Sequence, residues 1–382
     1  MSLPLTVSLI ALAVWGFLLA CRGGFWLARE RDDRGAPARA SGARPSVTAI
    51  VPARDEADLV ARAVGSLLAQ DYPGEFRVIV VDDQSSDGTA DAARALESHG
   101  RLDVLRGEEK PSAWTGKLWA LKQGILRAGA ERPSDCFWFT DADIVHSSDN
   151  LRRLVDRMER DNLVMVSLMA KLRCESFAER LLIPAFVLFF QMLFPFSWVN
   201  GRDTKTAAAA GGCILVRREA FERAGGIDSV RHEIIDDCAL GRRMKQQGAI
   251  WLGLTERALS ERRYERLSDV GRMISRSAFA QLRYSTVILM GTIAGMAIMF
   301  AVPPVAVALG TGGPRVAGAL AWLCMAVSFQ PMLRFYRRSP LWGLAFPLIG
   351  LFYAAFTVAS AVQFWRGRGG RWKGRIQAMK QT

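Results

Sequence analysis

Four acidic groups stand in order along this 382-residue chain: Asp55-Glu56, Asp82-Asp83, Asp141-Ala142-Asp143 and Asp236-Asp237. Their spacing limits the chemistry they can do. Asp141 and Asp143, two residues apart, suit one shared divalent cation. Mg2+ or Mn2+ takes such oxygen ligands and bridges phosphate oxygens, which neutralises a diphosphate and helps it leave. Carboxylates at Asp55, Glu56, Asp82 and Asp83 accept hydrogen bonds from the base or ribose of a nucleoside. Of Asp236 and Asp237, one can deprotonate an acceptor hydroxyl while the other caps the helix that follows. Gly211-Gly212 permits close approach of the backbone to a ligand, which suits an acceptor. Arg283, at the end of the segment Arg276–Tyr284, can meet a diphosphate. Neither G-x-x-x-x-G-K-[ST] nor G-x-G-x-x-G is present, so the helicase-like spelling Asp55-Glu56-Ala57-Asp58 is read as chance. The six cysteines form no C-x-x-C pair, which argues against a zinc ribbon or a dithiol redox centre.

The elements that must hold these groups follow from periodicity. Apolar runs at 47–51, 76–81 and 136–140 read as strands, and an acidic group follows each of them. Helical patterns at 57–70, 88–96, 114–127 and 151–158 alternate with the strands, and a further strand is expected at 163–169. This alternation predicts an α/β, Rossmann-like domain with a mostly parallel sheet. The acids then lie at the carboxyl ends of strands, where open α/β sheets bind ligands.

The remainder of the chain is apolar or basic. Residues 1–21 read as an uncleaved transmembrane anchor with its N-terminus outside, because arginines follow it directly. A basic linker is expected at 22–45 and a catalytic domain at 46–285. An apolar segment at 181–199, interrupted by Pro184 and Pro195, is expected to lie in the membrane interface. Residues 286–364 form a C-terminal membrane region and 365–382 a basic tail. To keep Arg334 and Arg366 on the same side, the last segment is expected to bend into a hairpin near Pro347. The net charge of +13 belongs to these membrane flanks, which points to anionic lipid and not to nucleic acid.

Taken together, Pro52-Ala53-Arg54-Asp55-Glu56, Asp82-Asp83, Asp141-Ala142-Asp143, Gly211-Gly212 and Asp236-Asp237 resemble a family 2 glycosyltransferase of the GT-A type. The resemblance implies that Asp55, Glu56 and Asp83 hold the nucleoside, that Asp143 and Asp141 carry the metal, and that Asp237 is the base. Ala280 and Arg283-Tyr284 stand where membrane-bound relatives carry Q-x-x-R-W, so the pattern favours single transfer to a lipid over polymer synthesis. Trp114-Thr115-Gly116-Lys117, Thr140–His146 and Arg202–Ala207 resemble the bacterial hopanoid-biosynthesis-associated glycosyltransferases. That likeness implies Lys117 as a donor ligand, a UDP-sugar donor and a hopanoid acceptor. It also implies a multi-pass protein of the bacterial inner membrane with its catalytic domain in the cytoplasm. Two alternatives stand beside it: transfer to polyprenyl phosphate or a polysaccharide, and a non-catalytic membrane scaffold that retains the fold.

Overall fold

The computed structural model describes residues 2–33, 44–96, 99–131, 133–370 and 373. Residues 34–43 of the expected linker, with Arg34 and Arg39, and most of the expected tail, with Arg371 and Arg375, lie outside the described residues. The chain divides into two compact units. One contains Glu30–Arg173 and Trp198–Arg263; the other contains the described residues of Met1–Arg29, Cys174–Ser197 and Tyr264–Thr382.

The first unit is built on an eight-stranded sheet. Its strands are β1 (Val47–Ala53), β2 (Phe76–Asp82), β3 (Leu102–Arg106), β4 (Cys136–Thr140), β5 (Ile144–His146), β6 (Met165–Lys171), β7 (Cys213–Arg217) and β8 (Ile250–Ser260), in the order β3-β2-β1-β4-β7-β6-β8-β5. β1 is buried along its whole length, as a continuous apolar run requires when helices cover both faces. β3 lies at one edge, only half-buried, and carries the charged Asp103 and Arg106. The helix Ala57–Leu68 buries Val60, Ala63, Val64 and Leu67, the i, i+3, i+4, i+7 face expected of an amphipathic helix. Val60, Val64, Leu67, Val78, Val80 and Trp138 belong to one continuous core.

Register brings the acids together. Ala53 pairs with Asp82 in the parallel β1–β2 ladder, so Asp55-Glu56 and Asp82-Asp83 leave the sheet side by side. β4 is parallel to β1, which sends Asp141 out at the same end. β7 runs antiparallel to β4 with Cys213 opposite Thr140, so Gly211-Gly212 enters where Asp141 leaves. β5 pairs antiparallel with the end of β8, Ile144 opposite Ser260, and this carries residues 260–262 to the Asp141–Asp143 turn. The sheet is mostly parallel, with β7 antiparallel to both its neighbours and β5 antiparallel to β8.

The second unit is helical. Leu3–Cys21, Thr286–Leu309, Gly313–Phe335 and Pro340–Trp365 are each long and apolar enough to cross a membrane, given roughly 20 residues per crossing. A π-turn at Ala297–Ala301 precedes Pro303 and Pro304; looser winding there relieves the ring clash and the missing donor of proline. The expected hairpin at Pro347 is not formed. Pro347 sits in the first turn of the helix Phe346–Trp365, where its missing N–H leaves no bond unmade. The segment is therefore one unbroken helix.

The residues expected as one apolar stretch at 181–199 form two helices, Phe177–Leu193 and Phe196–Asn200, parted at Phe194 and Pro195. The unit boundary falls after Ser197. Phe177–Leu193 is buried on most of its surface. Its start is fixed by Glu179, which accepts N–H bonds from Glu175, Ser176 and Tyr264. Farther along, Leu182 accepts a bond from the Tyr353 hydroxyl.

Candidate active site

The strand-end loops after β1 and β2 are laced together. Asp55 has φ 49°, a left-handed conformation that aspartate tolerates better than most side chains. Its N–H donates to Ser85 Oγ at 2.9 Å, and its Oδ1 accepts the Ser86 N–H at 3.0 Å. Glu56 N–H donates to Thr89 Oγ1, and Ala57 N–H to Asp87 Oδ2. Asp82 Oδ1 accepts the Ser85 N–H at 3.2 Å. Asp83 is buried, with its carboxylate 3.9 Å from Arg54 Nη1. The result is a rigid rim in which Asp55 remains the most exposed of the four acids, its side chain 34% accessible.

A second cluster forms around Lys117, at the start of the helix Gly116–Glu131. Lys117 Nζ lies 2.7 Å from Asp141 Oδ1 and 3.7 Å from Asp236 Oδ2. Asp236 and Asp237 open the helix Asp236–Lys245, where the helix dipole favours negative charge. That helix packs directly on the backbone before Gly211, because Gly241 has no side chain: a Cβ there would stand 2.8 Å from the Ala208 carbonyl carbon. The approach lets Asp237 Oδ2 accept the Gly211 N–H at 2.9 Å, while Oδ1 accepts the Cys238 N–H at 2.7 Å. Gly211 itself leaves the room these groups need. A Cβ on it would lie 3.1 Å from Lys117 Nζ and 3.4 Å from Asp237 Oδ2. Lys117, Phe139, Gly211, Ile214, Asp236 and Asp237 are among the residues lining a cavity of about 20 Å3, roughly the space of one water.

Electrostatics sets the charge states in this cluster. Burial pushes the Asp237 carboxyl up to about 6 and the Asp236 charge adds to that, while Lys117 and the two backbone N–H groups oppose it. Burial pulls the Lys117 ammonium down, but Asp141, Asp236 and Asp237 more than offset this and its pKa is raised. Lys117 is thus a fixed cation between two carboxylates, and Asp237 is a carboxylate poised to change protonation near neutral pH.

Asp143 lies on the other side of the same turn and is nearly buried. Its Oδ2 accepts from Ser260 Oγ and from Arg262 Nε, each at 3.0 Å, and Arg262 Nη2 also donates to Glu56 Oε1. Asp141 keeps 35% of its side chain accessible. Nearby His146 is a structural residue. The Thr140 hydroxyl donates to the Gly212 carbonyl at 2.9 Å, so it accepts from His146 Nε2, and His146 Nδ1 accepts from Asn150 Nδ2. Burial pushes its pKa down to about 3, which keeps this neutral form.

Most of the residues expected from the sequence therefore meet at one end of the sheet: Asp55, Glu56, Asp82 and Asp83 on the rim, and Lys117, Asp141, Gly211, Asp236 and Asp237 in the cluster. Gly212 points elsewhere, since a Cβ on it would meet Ala170 and Ile144 in the core. Arg283 belongs to the second unit and has φ 52°. Arg54 and Arg262 were missed by sequence reasoning. Arg262 sits in the charged run Glu261-Arg262-Arg263, which reads as a solvated loop; only the pairing of β5 with β8 brings it to Asp143. Among the described residues, no group of three or more His, Cys, Asp or Glu is arranged to hold a metal.

Residues 48–225 match the family model described as Glycosyl transferase family 2, so the chain carries a family 2 glycosyltransferase domain. Over 206 residues it is 28% identical to 4,4'-diaponeurosporenoate glycosyltransferase of Staphylococcus aureus (strain bovine RF122 / ET3-1), a match covering 51% of this chain and 50% of that protein. A stretch of 64 residues is 47% identical to the succinoglycan biosynthesis protein ExoU of Rhizobium meliloti (strain 1021), covering 16% of this chain and 18% of that one. The longer of these matches spans about half the length of its curated relative. Among solved structures, mannosyltransferase PcManGT from Pyrobaculum calidifontis, in complex with GDP-Man and Mn2+, superposes with a TM-score of 0.59 at 20% identity, covering 94% of this chain and 98% of that one. This likeness gives the fold its name, the Rossmann-like GT-A fold.

Proposed function

We propose that this protein transfers one sugar, with inversion, from a nucleotide-sugar donor to a lipid hydroxyl at a membrane. The observation that carries the proposal is the Asp237 carboxyl. It is buried, raised to about 6, and linked through Lys117 to Asp141 on the donor side of the same cluster. A general base works best with a pKa near the operating pH. Both Asp237 oxygens already accept one backbone N–H, and each keeps a second lone pair for an incoming proton.

Asp55, Glu56 and Asp83 form the nucleoside rim. Asp141 and Asp143 offer hard carboxylate oxygens, and each has one oxygen engaged by the protein and one turned to no partner among the described residues. This donor set fits Mg2+ or Mn2+, which completes its shell with water and phosphate oxygens. When bound, such an ion supplies charge neutralisation to the donor diphosphate. The chain's own residues do the rest. Lys117 holds Asp141 and faces the departing phosphate with a fixed positive charge. Asp237 takes the hydroxyl proton as the acceptor oxygen bonds to the anomeric carbon. The bond from that carbon to the phosphate oxygen breaks, and its electron pair leaves with the nucleoside diphosphate. Orienting two substrates drawn from different phases supplies much of the rate.

The four long apolar helices support a membrane location. The relative named for 4,4'-diaponeurosporenoate supports an apolar acceptor, and the neighbour holding GDP-Man and Mn2+ supports a nucleotide-sugar donor with a divalent ion. On this reading the acceptor is a hopanoid polyol, the donor a UDP-sugar, and Gly211 borders the acceptor. The protein resides in the bacterial inner membrane with its glycosyltransferase domain in the cytoplasm.

The test is transfer in isolated membranes with a panel of labelled nucleotide sugars, Mn2+ and a hopanoid polyol, with lipid products identified by mass. The wild type yields a product one sugar heavier than the polyol. Asp237→Asn loses transfer by about 10^2- to 10^4-fold while still binding the nucleotide. Normal turnover by Asp237→Asn refutes the base, and sugar release without a lipid product refutes the acceptor.

A further inference from the structure

Both carboxylates of the Asp141–Asp143 turn are already paired with protein cations. Asp141 Oδ1 is 2.7 Å from Lys117 Nζ, and Asp143 Oδ2 is 3.0 Å from Arg262 Nε. The two pairs differ in what else they hold. Lys117 reaches across to the base pair at Asp236, whereas Arg262 reaches back to Glu56 on the nucleoside rim. Arg262 is held on several sides. Its N–H donates to Ser260 Oγ at 3.4 Å, Ser260 Oγ donates to the same Asp143 oxygen, and Glu261 N–H donates to the Asp143 carbonyl at 2.9 Å. Glu261 is tied in turn to Arg62 by two bonds, at 2.9 and 3.1 Å. The guanidinium is thus a built part of the turn. A planar fork of this kind bridges two carboxylates in a way that a lysine ammonium does not reproduce.

We propose that Arg262 is a positioning residue that makes divalent-ion binding depend on the nucleotide. The proposal rests on the reading of Asp141 and Asp143 as metal ligands. Lys117 and Arg262 offset the charges of Asp141 and Asp143 while also pairing with Asp236 and Glu56, so two fixed cations stand beside any incoming ion. A lone Mn2+ meets repulsion from both. A nucleotide diphosphate arrives with its own negative charge and phosphate oxygens, so the ion and the nucleotide enter together. Arg262 also fixes Glu56 relative to Asp143, and so sets the distance between the nucleoside rim and the metal ligands.

The experiment is a Mn2+ titration of the full chain in detergent, read by the electron paramagnetic resonance signal of free Mn2+, without nucleotide and then with UDP or GDP. Wild type, Arg262→Gln, Arg262→Lys and Asp143→Asn are compared. The wild type is expected to bind Mn2+ weakly alone and at least tenfold more tightly with a nucleotide. Arg262→Gln is expected to bind Mn2+ alone about tenfold more tightly than the wild type, to bind the Mn2+–nucleotide pair more weakly, and so to lose the dependence. Arg262→Lys retains the charge but not the fork; it keeps weak binding of lone Mn2+ and shares the weakened pair binding. If Arg262→Gln and wild type bind lone Mn2+ equally while Asp143→Asn abolishes binding, the role of Arg262 is refuted and the metal site stands. If Asp143→Asn binds Mn2+ and nucleotide as the wild type does, the metal-ligand reading fails and this proposal fails with it.

Discussion

The charge balance around Asp237 makes a pH prediction that depends on its neighbours. The carboxyl moves from an ordinary 3.8 to about 6, a difference of roughly 3 kcal/mol between its two protonation states. As a base it must be ionised, so kcat/KM should rise with pH through an acid limb near 6 and fall about tenfold for each unit below that. Burial is the largest cause and no polar substitution removes it. Asp236 is the next cause, and Lys117 opposes it. Asp236→Asn removes a like charge beside the base and should shift the limb down by roughly one unit, about 1.4 kcal/mol. At pH 5 that variant should then run near half of its own plateau, where the wild type runs near a tenth. Lys117→Gln removes the opposing charge and should shift the limb up. The assay is kcat/KM for transfer between pH 4.5 and 8.5, each variant scaled to its own plateau, so that losses in absolute rate do not enter. A limb that moves the same way in both variants, or in neither, refutes the assignment of Asp237 as the titrating base.

Two further predictions come from packing. Gly211→Ala places a methyl 3.1 Å from Lys117 Nζ and 3.4 Å from Asp237 Oδ2; kcat should fall about 10- to 100-fold while the melting temperature moves by only a few degrees. His146→Gln breaks the bonds to Thr140 and Asn150 and should cost about 1–3 kcal/mol of stability, with kcat within twofold of the wild type. His146 also carries a pH signature. Its folded pKa is depressed from 6.5 to about 3, so between those values the unfolded chain binds a proton that the folded one does not. Its neutral burial is cost-free above about 6.5, and stability declines as pH falls from there toward 3. In His146→Gln the slope of melting temperature against pH in that window should be shallower; an unchanged slope refutes the buried, neutral histidine.

The glycosyltransferase domain and the order of its acids were legible in the sequence because both are local signals. Apolar runs such as 76–81 alternate with helical patterns, and an acidic group follows each of three strands, so chain order alone places those groups at strand ends. The helices long and apolar enough to cross a membrane were legible for the same reason, since length and composition decide them. Registers and reversals across the sheet were not. The antiparallel entry of β7 puts Gly211 beside Asp237, and the pairing of β5 with β8 brings Arg262 to Asp143. Both contacts join residues far apart in the chain, and no spacing rule encodes them. The last helix went the same way. Positive charge argued for a bend at Pro347, but the 3-10 turn Pro340–Ala345 before it leaves that proline in the first turn of a helix, a position that costs nothing and permits a straight segment. The sequence by itself determined which acidic residues stand at strand ends, because residue type and strand-end position are local properties. Only the tertiary structure decided which of them share a charge, a hydrogen bond or a pKa, because those depend on distances set by the packing of the whole sheet.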